Sequence, residues 1–263
     1  MTERQALELT VTDRVAEIRL CRPELLNRFD AVLNREMIAA LDEVAGREDV
    51  LAIVLCSTGR FFSAGGDTEV MLEAAGNITH RMAMIDEGRR MFRSVADCPK
   101  PLVVALAGNS YGLGSSLILA ADAIVSSPAV EFSDPHVKMG LVAGDGGAVA
   151  WPSAMGMIRA KRHLLTGDAM TAAEAYRMGI VTDLVDHPDD VLAAAHALAK
   201  RIADLPPLAV QLTKRTLNKM LMSRADEVLD LGFYLEGLTF GSEDLLEAVA
   251  AFKEKRRGAW KGR

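Results

Sequence analysis

The sequence predicts an α/β fold, with alternating strands and helices followed by a helical C-terminal region. Three observations predict it. Two continuous β-branched runs, Leu51 to Leu55 and Leu102 to Ala107, carry the signature of strands buried on both faces. Helical patterns lie between the strand signals. After about residue 150 the strand signals stop and helical patterns alone continue.

Residues 6–12 and 15–20 alternate apolar and polar around Thr12-Asp13, which predicts a β-hairpin. Asp30 is placed to cap a helix whose apolar positions Leu33, Met37, Leu41 and Val44 recur at helical spacing. Strand signals at Ala123 to Val125 and Ala129 to Phe132 are weaker, and helices are expected near 79–95 and 115–121. Thr171-Ala-Ala-Glu174 spells a capping box, with Gly179 where a C-terminal cap belongs. Leu205-Pro206-Pro207 breaks the chain between helices, and residues 208–263 read as three helices, the last from about Ser242 to Arg257. The expected division is a core over 1–204 and a helical region over 205–263. No internal repeat or low-complexity tract is visible.

At 263 residues the chain can bury one large core, and its apolar half and charged quarter are ordinary for a globular protein. A net charge of −6 argues against nucleic acid as a partner, because phosphate binding needs a basic face. Cys21, Cys56 and Cys98 are too scattered for a disulfide framework or zinc site, and read as buried thiols in a reducing compartment. The N-terminus has no apolar secretory segment, and apolar runs are far short of a membrane span. A cytoplasmic protein without a membrane partner is expected.

Two glycine segments carry the chemistry. Phe61-Phe62-Ser63-Ala64-Gly65-Gly66-Asp67 follows the first buried strand. It reads either as a turn or as a loop whose bare backbone lets a ligand oxygen reach an N–H. Gly108-Asn109-Ser110-Tyr111-Gly112-Leu113-Gly114-Ser115-Ser116 follows the second strand and opens a helix. A dinucleotide fingerprint fails there, because Leu117 stands at its third glycine. A nucleophile elbow at Ser110 lacks the upstream glycine run that completes its oxyanion hole. The remaining reading is a helix N-terminus whose free N–H groups stabilise an oxyanion.

Together the segments resemble the enoyl-CoA hydratase/isomerase (crotonase) superfamily, with its F-x-A-G-x-D signature and its N-G-x-A-x-G-G-G-x-E-L signature, the latter over Ala107 to Leu117. Arg22-Pro23 with Asn27, Leu164 to Gly167, Met178 to Val181 and Ala251 to Arg256 resemble further family elements in order. The resemblance implies a spiral ββα core acting on an acyl-CoA thioester, with coenzyme A as part of the substrate and no covalently bound cofactor. It implies an oxyanion hole from the N–H groups of Gly66 and Leu113, with Ala64, Gly65 and Asp67 along the substrate loop. Asp67 is expected to fix the loop rather than react. Phe252 and Lys255 resemble positions that meet the nucleotide end of coenzyme A, and a homotrimer or hexamer is implied.

The sequence departs from the family where hydratases carry two glutamates: the positions hold Ser116 and His136. Asp145 lies where the glycine-rich loop after His136 could return it beside the imidazole, orienting the ring as a general base. Ser116, His136 and Asp145 are the expected catalytic residues. Gly140 to Gly146 and Val149 to Pro152 resemble the branch that cleaves cyclic β-diketones by retro-Claisen hydrolysis, of the 6-oxocamphor hydrolase type. An acyl-CoA enzyme with a His136–Asp145 pair leads. A coenzyme-A-free β-diketone hydrolase and an idle acyl-CoA-binding scaffold are the alternatives. Histidines 80, 163, 187 and 196 are expected at the surface, and no residue spacing suggests a metal site.

Overall fold

A computed structural model describes residues 4–263. Strand β1 (Leu7–Thr12) and β2 (Val15–Leu20) form the expected hairpin, and α1 (Ala31–Ala45) follows with the Asp30 carboxylate accepting from the N–H groups of Val32 and Leu33. Each later turn of the chain lays one strand in each of two sheets. Strands β3 (Ala52–Ser57) and β4 (Phe61–Ser63) precede α2 (Thr68–Gly76) and α3 (Ile78–Ala96). Next come β5 (Leu102–Leu106), β6 (Asn109–Tyr111) and α4 (Leu113–Leu119), then β7 (Ala123–Ser126) and β8 (Glu131–Ser133). A short 3-10 turn over His136–Met139 leads to α5 (Gly147–Met155) and α6 (Met157–Thr166).

After these lie β9 (Met170–Thr171), α7 (Ala172–Arg177), β10 (Asp183–Leu184), α8 (Val191–Ala203), α9 (Pro207–Phe240) and α10 (Glu243–Glu254). The larger sheet runs β1-β2-β3-β5-β7-β10 and the smaller β4-β6-β8-β9. Except for the β1–β2 and β8–β9 pairs, neighbours are parallel. This is a ββα spiral with a helical C-terminal region.

The β-branched runs are central because both faces are covered. Ile53, Leu55, Val104 and Leu106 face the main core, while Val54, Val103 and Val125 pack under Ala195 and Ala199 of α8. The Thr171–Glu174 capping box is present at α7.

Two expectations are corrected. Strands do not stop after residue 150, for β9 and β10 add two residues each to existing sheets, too few to leave a periodic signal. Residues 208–263 form two long helices, not three, because α9 runs unbroken for 34 residues. Its interior glycines are tolerated because neighbours close on them: a β-carbon on Gly237 would lie 2.8 Å from Ile85 Cδ1. Ala225, Leu229 and Phe233 of α9 join the main core, so this helix helps to wall the interior beside α3 and α5.

Candidate active site

The first glycine segment is held on several sides. Ala64 N–H donates to Leu26 O at 2.9 Å, Phe29 N–H to Gly65 O at 2.8 Å, and Gly65 N–H to Ser63 Oγ at 3.1 Å. Gly65 has φ +86°, and a β-carbon there would lie 2.9 Å from Tyr111 O, so only glycine lets the two segments touch. Among the described residues no backbone carbonyl accepts from Gly66 N–H. Asp67 caps α2 through Glu69 N–H at 3.0 Å and pairs with Arg28 at 3.0 Å.

In the second segment Gly112, at φ +54°, turns the chain into α4 and donates to Ser133 O at 3.0 Å. Leu113 is the first residue of that helix, so its N–H lies in the turn that has no intrahelical acceptor. Gly66, Asp67 and Leu113 line one cavity of about 600 Å³, with His136, Asp145 and residues of α1, α2, α3 and α9. Ala64 and Gly65 stand behind this wall, as backbone support. Ser110 is buried and lines no part of the cavity, which leaves no place for the nucleophile elbow.

The structure brings the expected catalytic residues together. His136 Nε2 lies 3.3 Å from Asp145 Oδ2, and Ser116 Oγ donates to Asp145 Oδ1 at 3.3 Å. It also adds two groups that sequence reasoning missed. Asp134 bonds the other ring nitrogen, Nδ1, and Glu236 Oε1 approaches Nε2 at 3.7 Å. All five side chains are buried.

Glu236 arrives from α9 through a glycine contact. Gly144, in the loop carrying Asp145, meets Gly232 so closely that a β-carbon would lie 2.3 Å from Gly232 O. Glu236 stands one turn further on, facing the ring. A signal existed in the sequence, for Glu236 interrupts the apolar stripe Ala225, Leu229, Phe233, Phe240. Asp134 had a fainter one, as an aspartate two residues before a histidine can fold back on its backbone.

The electrostatics follow from burial and charge. Burial disfavours a charged His136 ring, but the charges of Asp134 and Asp145 outweigh it and hold its pKa well above the ordinary value. Burial pushes the Glu236 carboxyl well above the carboxylate range; His136 opposes that rise, and Asp145 and Asp134 add to it. The pair therefore favours an imidazolium beside a neutral carboxylic acid.

Other expectations need correction. His80 lines the cavity, His163 lies with its ring 5.9 Å from that of Trp151, and His196 reaches Glu17 at 2.6 Å, so these three are half-buried rather than at the surface. The missing metal-ligand spacing is also only a property of the linear sequence: the fold gathers potential donor atoms of Asp134, His136 and Asp145 within 4.8 Å. The two aspartates engage opposite ring nitrogens, Asp134 by a hydrogen bond at Nδ1 and Asp145 by an ion pair at Nε2. Phe252 and Lys255 are exposed at the end of α10 and line no part of the cavity. No helix among the described residues is long and apolar enough to cross a membrane.

Comparison with known proteins agrees with the fold. The family described as Enoyl-CoA hydratase/isomerase matches residues 10–263. A probable enoyl-CoA hydratase of Rhizobium meliloti is 34% identical over 259 residues, covering 98% of this chain and 99% of that protein. The short-chain-enoyl-CoA hydratase of Clostridium acetobutylicum is 29% identical over 245 residues, covering 93% of each. The crystal structure of an enoyl-CoA hydratase/isomerase from Mycobacterium paratuberculosis superposes with a TM-score of 0.88 at 33% identity, covering 93% of this chain and 97% of that one.

Proposed function

Because the chain belongs to the enoyl-CoA hydratase/isomerase family, we propose that it adds water to an α,β-unsaturated acyl-CoA using an acid–base set of its own. The observation that carries this reading is Glu236, a buried carboxyl that meets His136 Nε2 beside Asp145 in the cavity shared with Gly66 and Leu113. The family's paired carboxylates are absent from positions 116 and 136, and Asp145 with Glu236 would replace them from a loop and from α9.

In this mechanism the thioester oxygen accepts from the N–H groups of Gly66 and Leu113. Each such donor is worth about 2.7–4 kcal/mol once charge develops on the oxygen. Water attacks the β-carbon and gives a proton to the Asp145 carboxylate. Glu236, neutral through burial, gives its proton to the α-carbon. His136 then passes its Nε2 proton to Glu236 and recovers one from Asp145, so one water is consumed and no net proton. The ring acts as a charged relay rather than as the neutral base that the sequence suggests. Ser116 holds Asp145 in place. Phe252 and Lys255 would meet the coenzyme A nucleotide from a neighbouring copy. Exposed Leu231, Tyr234, Leu235 and Leu238 on α9 support a trimer or hexamer formed through 205–263.

Incubation with enoyl-CoAs and cyclic β-diketones, for the parent and for His136→Ala, Asp145→Asn and Glu236→Gln, tests the reading. Hydration of thioesters that all three substitutions depress supports it. A second reading, C–C hydrolysis of a β-diketone, is favoured by one observation: the Gly140–Gly146 run that resembles that branch is the segment that brings Asp145 to His136. Turnover of diketones alone would establish it in place of hydration. Tight acyl-CoA binding without turnover of either class would favour the scaffold.

A further inference from the structure

Asp134 takes no part in the proton steps above, yet it makes the closest polar contact to the ring that performs them. We propose that Asp134 is the positioning residue that locks the His136 ring, fixing a proton on Nδ1 so that Nε2 is always presented to Asp145 and Glu236. The proposal rests on the relay role given to His136.

The geometry is a two-point hold. Asp134 Oδ1 accepts from the backbone N–H of His136 at 3.2 Å and bonds ring Nδ1 as well, so backbone and ring are tied to one oxygen. The other oxygen, Oδ2, is buried without a hydrogen-bond partner among the described residues. It packs on bare backbone, for a β-carbon on Gly147 would lie 2.3 Å from it. The carboxylate therefore spends its hydrogen bonding on one residue.

A neutral imidazole has one donor and one acceptor nitrogen, so it can donate to only one of two flanking carboxylates. The doubly protonated ring donates to both. Three acidic groups face it: Asp134 from the end of β8, Asp145 from the loop before α5, and Glu236 from α9. Among the described residues no lysine or arginine pairs with any of them, so the imidazolium is the single cation of the cluster. Burial opposes that cation, and Asp134 and Asp145 together overcome the cost.

The test is nitrogen NMR of the full chain with labelled histidine, beside pH–rate profiles for the parent, Asp134→Asn and Gly147→Ala. In the parent, His136 is expected to keep both nitrogens protonated through neutral pH, with a strongly deshielded Nδ1 proton. Asp134→Asn should move its titration midpoint down toward about 6.5 and draw the alkaline limb of the kcat profile to lower pH. The fall in kcat should be on the order of 100-fold, with KM changed by less than about threefold. Gly147→Ala keeps the charge but displaces the carboxylate, and should act in the same direction more weakly.

A parent ring without a proton on Nδ1 at neutral pH overturns the proposal, even if Asp134→Asn does not fold. So does an unmoved pH profile in a folded Asp134→Asn. The NMR arm needs no substrate, so failure to hydrate any enoyl-CoA would remove the proposed function while the ring's protonation is still decided separately.

Discussion

Gly144 and Gly232 meet backbone to backbone, with no room between them for a methyl group. This contact sets the distance between the loop that carries Asp145 and the helix that carries Glu236. Gly144→Ala is expected to push α9 outward at a stability cost of about 1–3 kcal/mol. Misplacing Glu236 by a fraction of an ångström to an ångström should lower kcat/KM by on the order of 100-fold. Thermal unfolding and kinetics on the same preparation check both numbers.

Glu236→Gln should lose hydration activity yet gain stability. The folded carboxyl holds its proton to a higher pH than the ordinary value of 4.5, so above that value the folded state binds more protons than the unfolded chain. Stability from this group therefore falls as pH rises between the two values. Glutamine cannot ionise, so the Tm difference in favour of the variant should grow as pH rises through that window. A parent and variant with parallel Tm–pH curves would falsify the neutral-acid assignment.

His136 contributes with the same sign at higher pH. Its folded pKa lies well above the ordinary 6.5, so its stabilisation is complete below 6.5 and is lost as pH climbs through the raised folded value. His136→Ala should flatten that alkaline decline. Denaturant melts at a series of pH values measure it directly.

Ser116→Ala removes the hydroxyl that donates to Asp145 Oδ1 at 3.3 Å in a buried setting. A hydrogen bond to a charged group is worth about 1.5–3 kcal/mol, so a rate loss of roughly 10- to 150-fold is expected. It should appear in kcat rather than KM, because Ser116 acts on Asp145 and not on the thioester.

Asp67→Ala separates loop anchoring from chemistry. Losing the cap on α2 should cost about 1 kcal/mol, and the half-exposed Arg28 partner adds little. The fall in kcat should be far smaller than for Asp145→Asn. An equal fall would give Asp67 a chemical role.

The fold was legible where local signals are strong. The β-branched runs at β3 and β5 are long, doubly covered strands, and the caps at Asp30 and Thr171 are satisfied within three residues of sequence. Strands β9 and β10 were not legible, because two-residue strands exist only through partners already in place. The continuity of α9 was hidden for a related reason: Gly232 and Gly237 look like breaks until the groups packed on them are known.

By itself the sequence determined the ββα framework, the family motifs, the two glycine segments, and the absence of glutamates at positions 116 and 136. It also paired His136 with Asp145, since one short loop joins them, and named Ser116 as a third catalytic residue. Only the tertiary structure decided that Asp134 and Glu236 complete the cluster around the ring. Glu236 is 100 residues from His136 in sequence, and its approach depends on a backbone contact between two glycines. The tertiary structure also sets the direction in which the His136 and Glu236 pKa values move. A side chain's charge depends on its burial and on the charges packed against it, and neither is written in the residue's own identity.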